Sequence, residues 1–264
     1  MIIDFHTHAF PAAIAEDAMT NLEKTAELTP YGNGTIEALL ERNQKRGIAK
    51  SVLLNIAVST KSVTRMNDFA IEMANREASL LPFGTLHPEL KNWEAEMLRL
   101  KENGIKGIKL HPCYQKFEMN DQKVYPMYEA ITAQEMIVLF HGGLDPLDMS
   151  KDYASPKAIL QVKQNFPQMK MVVAHAGAAF SFDAAEEYLW GQEIYLDISF
   201  IGGRMGMAQF QRFINMHDAD RILYGSDYPW HDEEELLLLK NAALPEALQE
   251  KILYGNAKRL LGEA

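Results

Sequence analysis

The chain has 264 residues, long for one ordinary core and typical of a closed eight-stranded α/β barrel. It is 47% hydrophobic and 23% charged, the composition of a globular enzyme and not of a disordered chain. A net charge of −10, with the acids spread along the sequence, leaves no basic footprint for nucleic acid or an anionic membrane surface.

The first stretch sets Ile2, Ile3 and Phe5 in a short apolar run suited to a buried parallel strand, and that run ends in His6-Thr7-His8. Residues two apart in a strand project to the same side, so both imidazoles can aim at one centre. Residues 11–28 read as a helical excursion on the rim, followed by a loop over 29–34. Residues 35–46 are helical with Gly47 as C-cap, and 51–58 form the second strand. A helix over 63–79 leads to a third strand, 80–86, closed by His87-Pro88. A helix over 92–103 precedes the fourth strand, 106–110, which stops at His111-Pro112.

After a loop, residues 122–133 are helical and 136–140 form the fifth strand, followed at once by His141-Gly142-Gly143. Ser155-Pro156 opens a helix to residue 166 in the N-cap and N1 pattern. The sixth strand, 169–174, ends in His175-Ala176-Gly177; a helix over 182–190 and a seventh strand, 194–198, follow. A helix over 207–216 and the eighth strand, 221–224, lead to Gly225-Ser226-Asp227-Tyr228-Pro229, and 232–261 is helical with a break at Pro245. Strands alternating with helices mean right-handed crossovers and a parallel sheet, here closed into a (β/α)8 barrel. With no repeat, low-complexity segment or linker, residues 1–264 make one domain.

In such a barrel the C-terminal strand ends share one face, where barrel enzymes place their sites. Strand one brings His6 and His8 there, strand four Lys109 and His111, strand five His141, strand six His175 and strand eight Asp227. Singly, each has a plain structural reading: a hydrogen-bonded histidine, a turn aspartate, glycines where φ is positive. Their repeated coincidence with strand ends favours a site. Three imidazoles and a carboxylate suit Zn²⁺ or a similar divalent ion, so His6, His8, His141 and Asp227 are the expected ligands. A bound ion brings the pKa of its water toward about 7; Asp227 can take that proton, and His175 can orient the water or stabilise an oxyanion.

Lys109 has three open roles: carboxylated and bridging two metals, holding a substrate carboxylate as a free cation, or pairing with a buried acid. One ion is favoured over two. Lys109, His111 and Arg204 are the candidate substrate contacts. His87, His217 and His231 stay with structural roles, the last two in polar, exposed surroundings. Cys113 is the sole cysteine, which excludes an intrachain disulfide and suggests a reducing, cytoplasmic setting. No run has the ~18 apolar residues of a membrane span. The partner expected is a small-molecule substrate, and any assembly a homodimer.

Asp4-Phe5-His6-Thr7-His8, Gly107-Ile108-Lys109-Leu110-His111-Pro112, Phe140-His141-Gly142-Gly143, Val173-Ala174-His175-Ala176-Gly177 and Gly225-Ser226-Asp227-Tyr228-Pro229 resemble the amidohydrolase superfamily. More narrowly they are similar to the amidohydrolase-related branch that includes aminocarboxymuconate-semialdehyde decarboxylase, whose usual ending Asn256-Ala257-Lys258-Arg259-Leu260-Leu261 resembles. The resemblance implies a metal-bearing (β/α)8 TIM barrel with His6, His8, His141 and Asp227 as ligands and His175 near the water. It implies a hydrolase of C–N or C–O bonds in a small molecule or, as the alternative, a non-oxidative decarboxylase. Lys109 departs from the branch's decarboxylases and is similar to the strand-four lysine of dihydroorotase-like members.

Overall fold

The structure, a computed structural model, describes residues 1–263 apart from the side chain of Ala26. Short runs rich in Ile, Val, Leu and Phe, buried on both faces, form eight parallel strands. They are β1 (Ile3–Thr7), β2 (Lys50–Leu54), β3 (Leu80–Thr85), β4 (Gly107–Leu110), β5 (Ile137–Phe140), β6 (Lys170–Val173), β7 (Tyr195–Asp197) and β8 (Ile222–Leu223). They neighbour one another in sequence order, with helices between, as a TIM barrel.

Alternation along each strand sorts side chains into two layers. In β5, Ile137 and Leu139 join the core inside the barrel, while Val138 and Phe140 pack outward against helices. The same alternation in β4 sends Ile108 and Leu110 outward and leaves Lys109, paired in register with Leu139, on the inner side. Gly107 is the other inner residue of β4; a Cβ there would sit 2.3 Å from the Phe83 ring, so glycine lets that ring fill the barrel.

Among the described residues, no continuous ladder joins β8 to β1. The seam is closed by Phe5 N–H to Tyr224 O (2.8 Å), Asp227 N–H to His6 O (2.8 Å) and His8 N–H to Tyr228 O (2.7 Å). The barrel is thus completed by the segment that carries Asp227.

Helix caps follow the sequence. Thr35 Oγ1 accepts from Ala38 N–H and Gly47 ends that helix at φ 68°; Ser155 caps the helix Pro156–Asn165. The second strand ends at Leu54, short of the expected 58, because Ala57 N–H turns to the Thr85 hydroxyl at 3.3 Å. Residues 111–120, expected as loop, contain a short helix, Pro112–Gln115, capped by His111. The helical stretch expected over 232–261 with a break at Pro245 does break there, between Glu234–Asn241 and Glu246–Glu250, and then continues through a π-turn at Lys251–Gly255 into Asn256–Leu261. His217 and His231, expected in exposed surroundings, are buried at 4% and 6% exposure, because each finds hydrogen-bond partners inside. Among the described residues, no helix is long and apolar enough to cross a membrane.

Candidate metal centre

His8 Nδ1 lies 2.9 Å from the carbonyl oxygen of Leu54. A carbonyl only accepts, so Nδ1 carries the proton and Nε2 turns a lone pair inward. His6 Nδ1 stands 2.9 Å from Asp197 Oδ2, which fixes the same tautomer. His175 Nδ1 donates to Ser199 O at 3.1 Å, leaving its Nε2 open. His141 is arranged the other way: Nε2 donates to Leu144 O at 3.1 Å and Nδ1 is the open nitrogen.

The open atoms meet in two groups: His6 and His8 with Asp227, and His141, expected as their fellow ligand, with His175. His141 Nδ1 and His175 Nε2 are 3.1 Å apart, and the Nε2 atoms of His6 and His8 lie 3.3 and 3.2 Å from Asp227 Oδ1. Each is a contact between acceptors, which repel unless a proton or cation sits among them. The protein donor at hand is Lys109 Nζ, 3.4 Å from His6 Nε2. Separations of 3.2–3.3 Å also equal the edge of a tetrahedron whose metal–ligand bonds are about 2.0 Å. The His6, His8 and Asp227 triangle therefore suits a divalent cation in donor chemistry and in its two edges to Asp227, with all three ligand atoms within 4.8 Å of one another.

Electrostatics agree. Burial, with the Lys109 charge and neighbouring histidines adding to it, holds His6 and His175 well below the usual imidazole range, and His141 is lowered to about 3. All three are neutral at physiological pH, as ligands must be. Burial pushes the Asp227 carboxyl up, but the facing His6 and His8 imidazoles and Lys109 outweigh it and keep Asp227 ionised. Lys109 is pulled down to about 8 by burial, against the opposing pull of Asp197, Asp227 and Asp145. Two of these residues sit in left-handed backbone, His175 at φ 63° and Asp227 at φ 72°, strain of a kind that gathers at functional positions.

Above the centre opens a cavity of about 310 Å³. Its floor carries His6, His8, Lys109, His141, His175 and Asp227; its walls are mostly apolar, with Ile14 and Leu22 from the helix Ala12–Ala26, Met66, Phe180, Phe200 and Trp230. His111 also lines it, stacked between Tyr114 (ring centroids 4.0 Å apart) and His141 (4.2 Å), with Nε2 3.5 Å from Asp145 Oδ2. Arg204 is not among the lining residues. Its guanidinium lies 3.6 Å above the Phe200 ring and bonds His231, which is held in turn by Glu235 at 2.9 Å.

Sequence reasoning passed over Asp197, Ser199, Asp145, Asn55 and Arg65. Asp197 closes β7, one of three strand ends left without a site residue, and Asn55, inside the strand expected over 51–58, follows β2 because that strand ends at Leu54. Asp145 comes from an irregular segment after β5 that no periodicity marks, and Arg65 lines the cavity from the helix Val63–Arg76, whose pattern gives no sign that it reaches the site.

A centre on this rim of a closed parallel barrel is the layout of a barrel enzyme. The chain belongs to the amidohydrolase family, whose model matches residues 3–262. It is 24% identical to a dihydroorotase of Helicobacter hepaticus over 208 residues, 65% of this chain; the match spans 60% of that relative's length. An uncharacterised TIM-barrel protein of Bordetella bronchiseptica superposes with TM-score 0.77 at 21% identity, covering 99% of this chain and 98% of that one. A dihydroxybenzoic acid decarboxylase of Polaromonas sp. JS666, solved with manganese and 2-nitroresorcinol, gives TM-score 0.74 at 19% identity, covering 99% and 96%. Other decarboxylases recur among the similar folds. At these identities the structural likeness establishes the fold, and the family match establishes membership of the amidohydrolase family.

Proposed function

We propose that the protein is a divalent-metal-dependent lyase that releases CO2 from a small, planar carboxylic acid. One observation carries this reading: inward-facing lone pairs converge on the floor of a cavity whose walls are apolar. A carboxylate entering such a slot loses its water, and departure as neutral CO2 relieves that cost. His6, His8, His141 and Asp227 would hold one ion, Zn²⁺ or Mn²⁺, whose chemistry there is to bind the acid and withdraw electron density from it.

Lys109, a buried cation beside His6, draws the carboxylate to the floor, and His111 stacks at the edge of the slot. Asp227 is the group placed to carry the proton that replaces CO2 on the carbon that bore it, so R–COO⁻ and H⁺ become R–H and CO2. His175, with Nδ1 tied to Ser199, keeps Nε2 aimed at the reacting centre. The recurrence of decarboxylases among similar folds supports this reading.

The likeness to a dihydroorotase, together with Lys109 on strand four, favours a second reading in which the same residues hydrolyse a C–N or C–O bond. In that case Asp227 takes the proton of the attacking water. Metal-loaded protein assayed on hydroxybenzoates, cyclic amides and lactones separates the two. CO2 release equal to acid consumed is the expected result; cleavage of an amide or lactone without CO2 overturns it in favour of hydrolysis.

A further inference from the structure

Strand β8 has only two residues, and its seam with β1 is held by scattered backbone bonds. Beneath that seam lies Asp4, a fully buried carboxylate that the chemistry above does not use. Its Oδ1 accepts from the backbone N–H of His6 (3.2 Å) and of Ser226 (3.0 Å). Its Oδ2 accepts from Ser226 Oγ (2.7 Å) and from Arg42 Nη1 (2.7 Å). Arg42 in turn donates through Nε to Asp232 Oδ1 at 2.5 Å and through Nη2 to Asp232 O at 2.9 Å.

One carboxylate therefore grips the backbone of the residue bearing the first imidazole and of the residue preceding Asp227. These two positions set how far His6 and His8 stand from Asp227. The seam's backbone bonds, Asp227 N–H to His6 O and His8 N–H to Tyr228 O, share in setting that distance, but they are isolated rather than a continuous ladder. Gly225 adds to the constraint: a Cβ there would lie 2.8 Å from His6 Cβ, so the two segments touch.

We infer that Asp4, clamped by Ser226 and Arg42, is a positioning residue that fixes the ligand triangle and so sets the affinity of the centre for its ion. This inference rests on the metal reading above. Partners that orient ligands from behind are worth about 10–100-fold in metal affinity. A merely structural ion pair would alter melting temperature and leave affinity alone.

The test measures dissociation constants for Zn²⁺ and Mn²⁺ by competition with a chromophoric chelator, beside the melting temperature of metal-free protein. Wild type is compared with Asp4→Asn, Ser226→Ala and Asp232→Asn. The last disturbs the same arginine without touching His6 or Ser226. Asp4→Asn is expected to bind about 10–100-fold more weakly and Ser226→Ala about 10-fold. Asp232→Asn is expected to melt earlier yet bind within about 3-fold of wild type, below what loss of an orienting partner costs.

If Asp4→Asn does not fold, Ser226→Ala decides alone. Folded Asp4→Asn or Ser226→Ala with wild-type affinity overturns the inference, as does an equal loss in Asp232→Asn. A wild type that takes up neither ion is a different result, and overturns the metal reading itself.

Discussion

Each histidine of the centre is held by its far nitrogen, and that anchoring gives the near nitrogen its job. His8 hangs from Leu54 O and His6 from Asp197, so their open nitrogens are fixed before any ion arrives. The two roles proposed for histidines separate by experiment. His8→Ala or Asp227→Asn should lose metal and lower turnover by about 10²-fold or more, with the far-UV circular dichroism of wild type. His175→Ala should keep its metal, measured by elemental analysis, while kcat falls by about 10²–10³-fold, the usual cost of one preorganised polar contact. Metal lost from His175→Ala would make it a ligand. The His-x-His spacing and the strand-end positions were legible in the sequence because strand geometry is periodic. The anchoring was not: Ser199 O and Leu144 O are backbone groups, and nothing in residue identity announces which carbonyl a ring will find.

The elements around the barrel were read from caps and periodicity with most starts close and some ends wrong. Thr35, Gly47, Ser155 and Pro156 marked their helices because each satisfies or removes an orphan backbone group. The π-turn at Lys251–Gly255 left no mark, since the apolar spacing of residues 246–261 is also compatible with an unbroken helix. His217, at the end of the helix Met207–Met216, shows how an unremarkable residue can govern stability. Its Nδ1 accepts from Gly191 N–H (3.1 Å) and its Nε2 donates to Ile194 O (2.9 Å), and burial lowers its pKa to about 4. The unfolded chain takes that proton near 6.5. The stabilisation is therefore complete above pH 6.5 and is lost as pH falls toward 4. Between pH 7 and 5 it costs about 2 kcal/mol, or about 5 °C in melting temperature. His217→Gln keeps a donor and an acceptor without titrating. It should lose about 5 °C less than wild type over that interval; parallel losses would refute the assignment.

At the scale of the molecule, eight alternating units in 264 residues allowed few topologies, which is why the barrel could be read in advance. What the alternation could not reveal is that the last strand has two residues and that closure passes through the site. One ion per chain is the expected stoichiometry, with Lys109 unmodified. Intact mass should show no added CO2, and metal analysis should plateau at one equivalent. Removing that ion with a chelator should lower the melting temperature. Resupplying it at 100 times its dissociation constant should restore about 2.7 kcal/mol.

The bond from Asp4 to Ser226 spans 222 positions. During synthesis at about 5–20 residues per second, the opening histidines wait roughly 10–45 s for the aspartate that completes their triangle. On the metal reading proposed above, ion capture waits for a chain translated almost to its end.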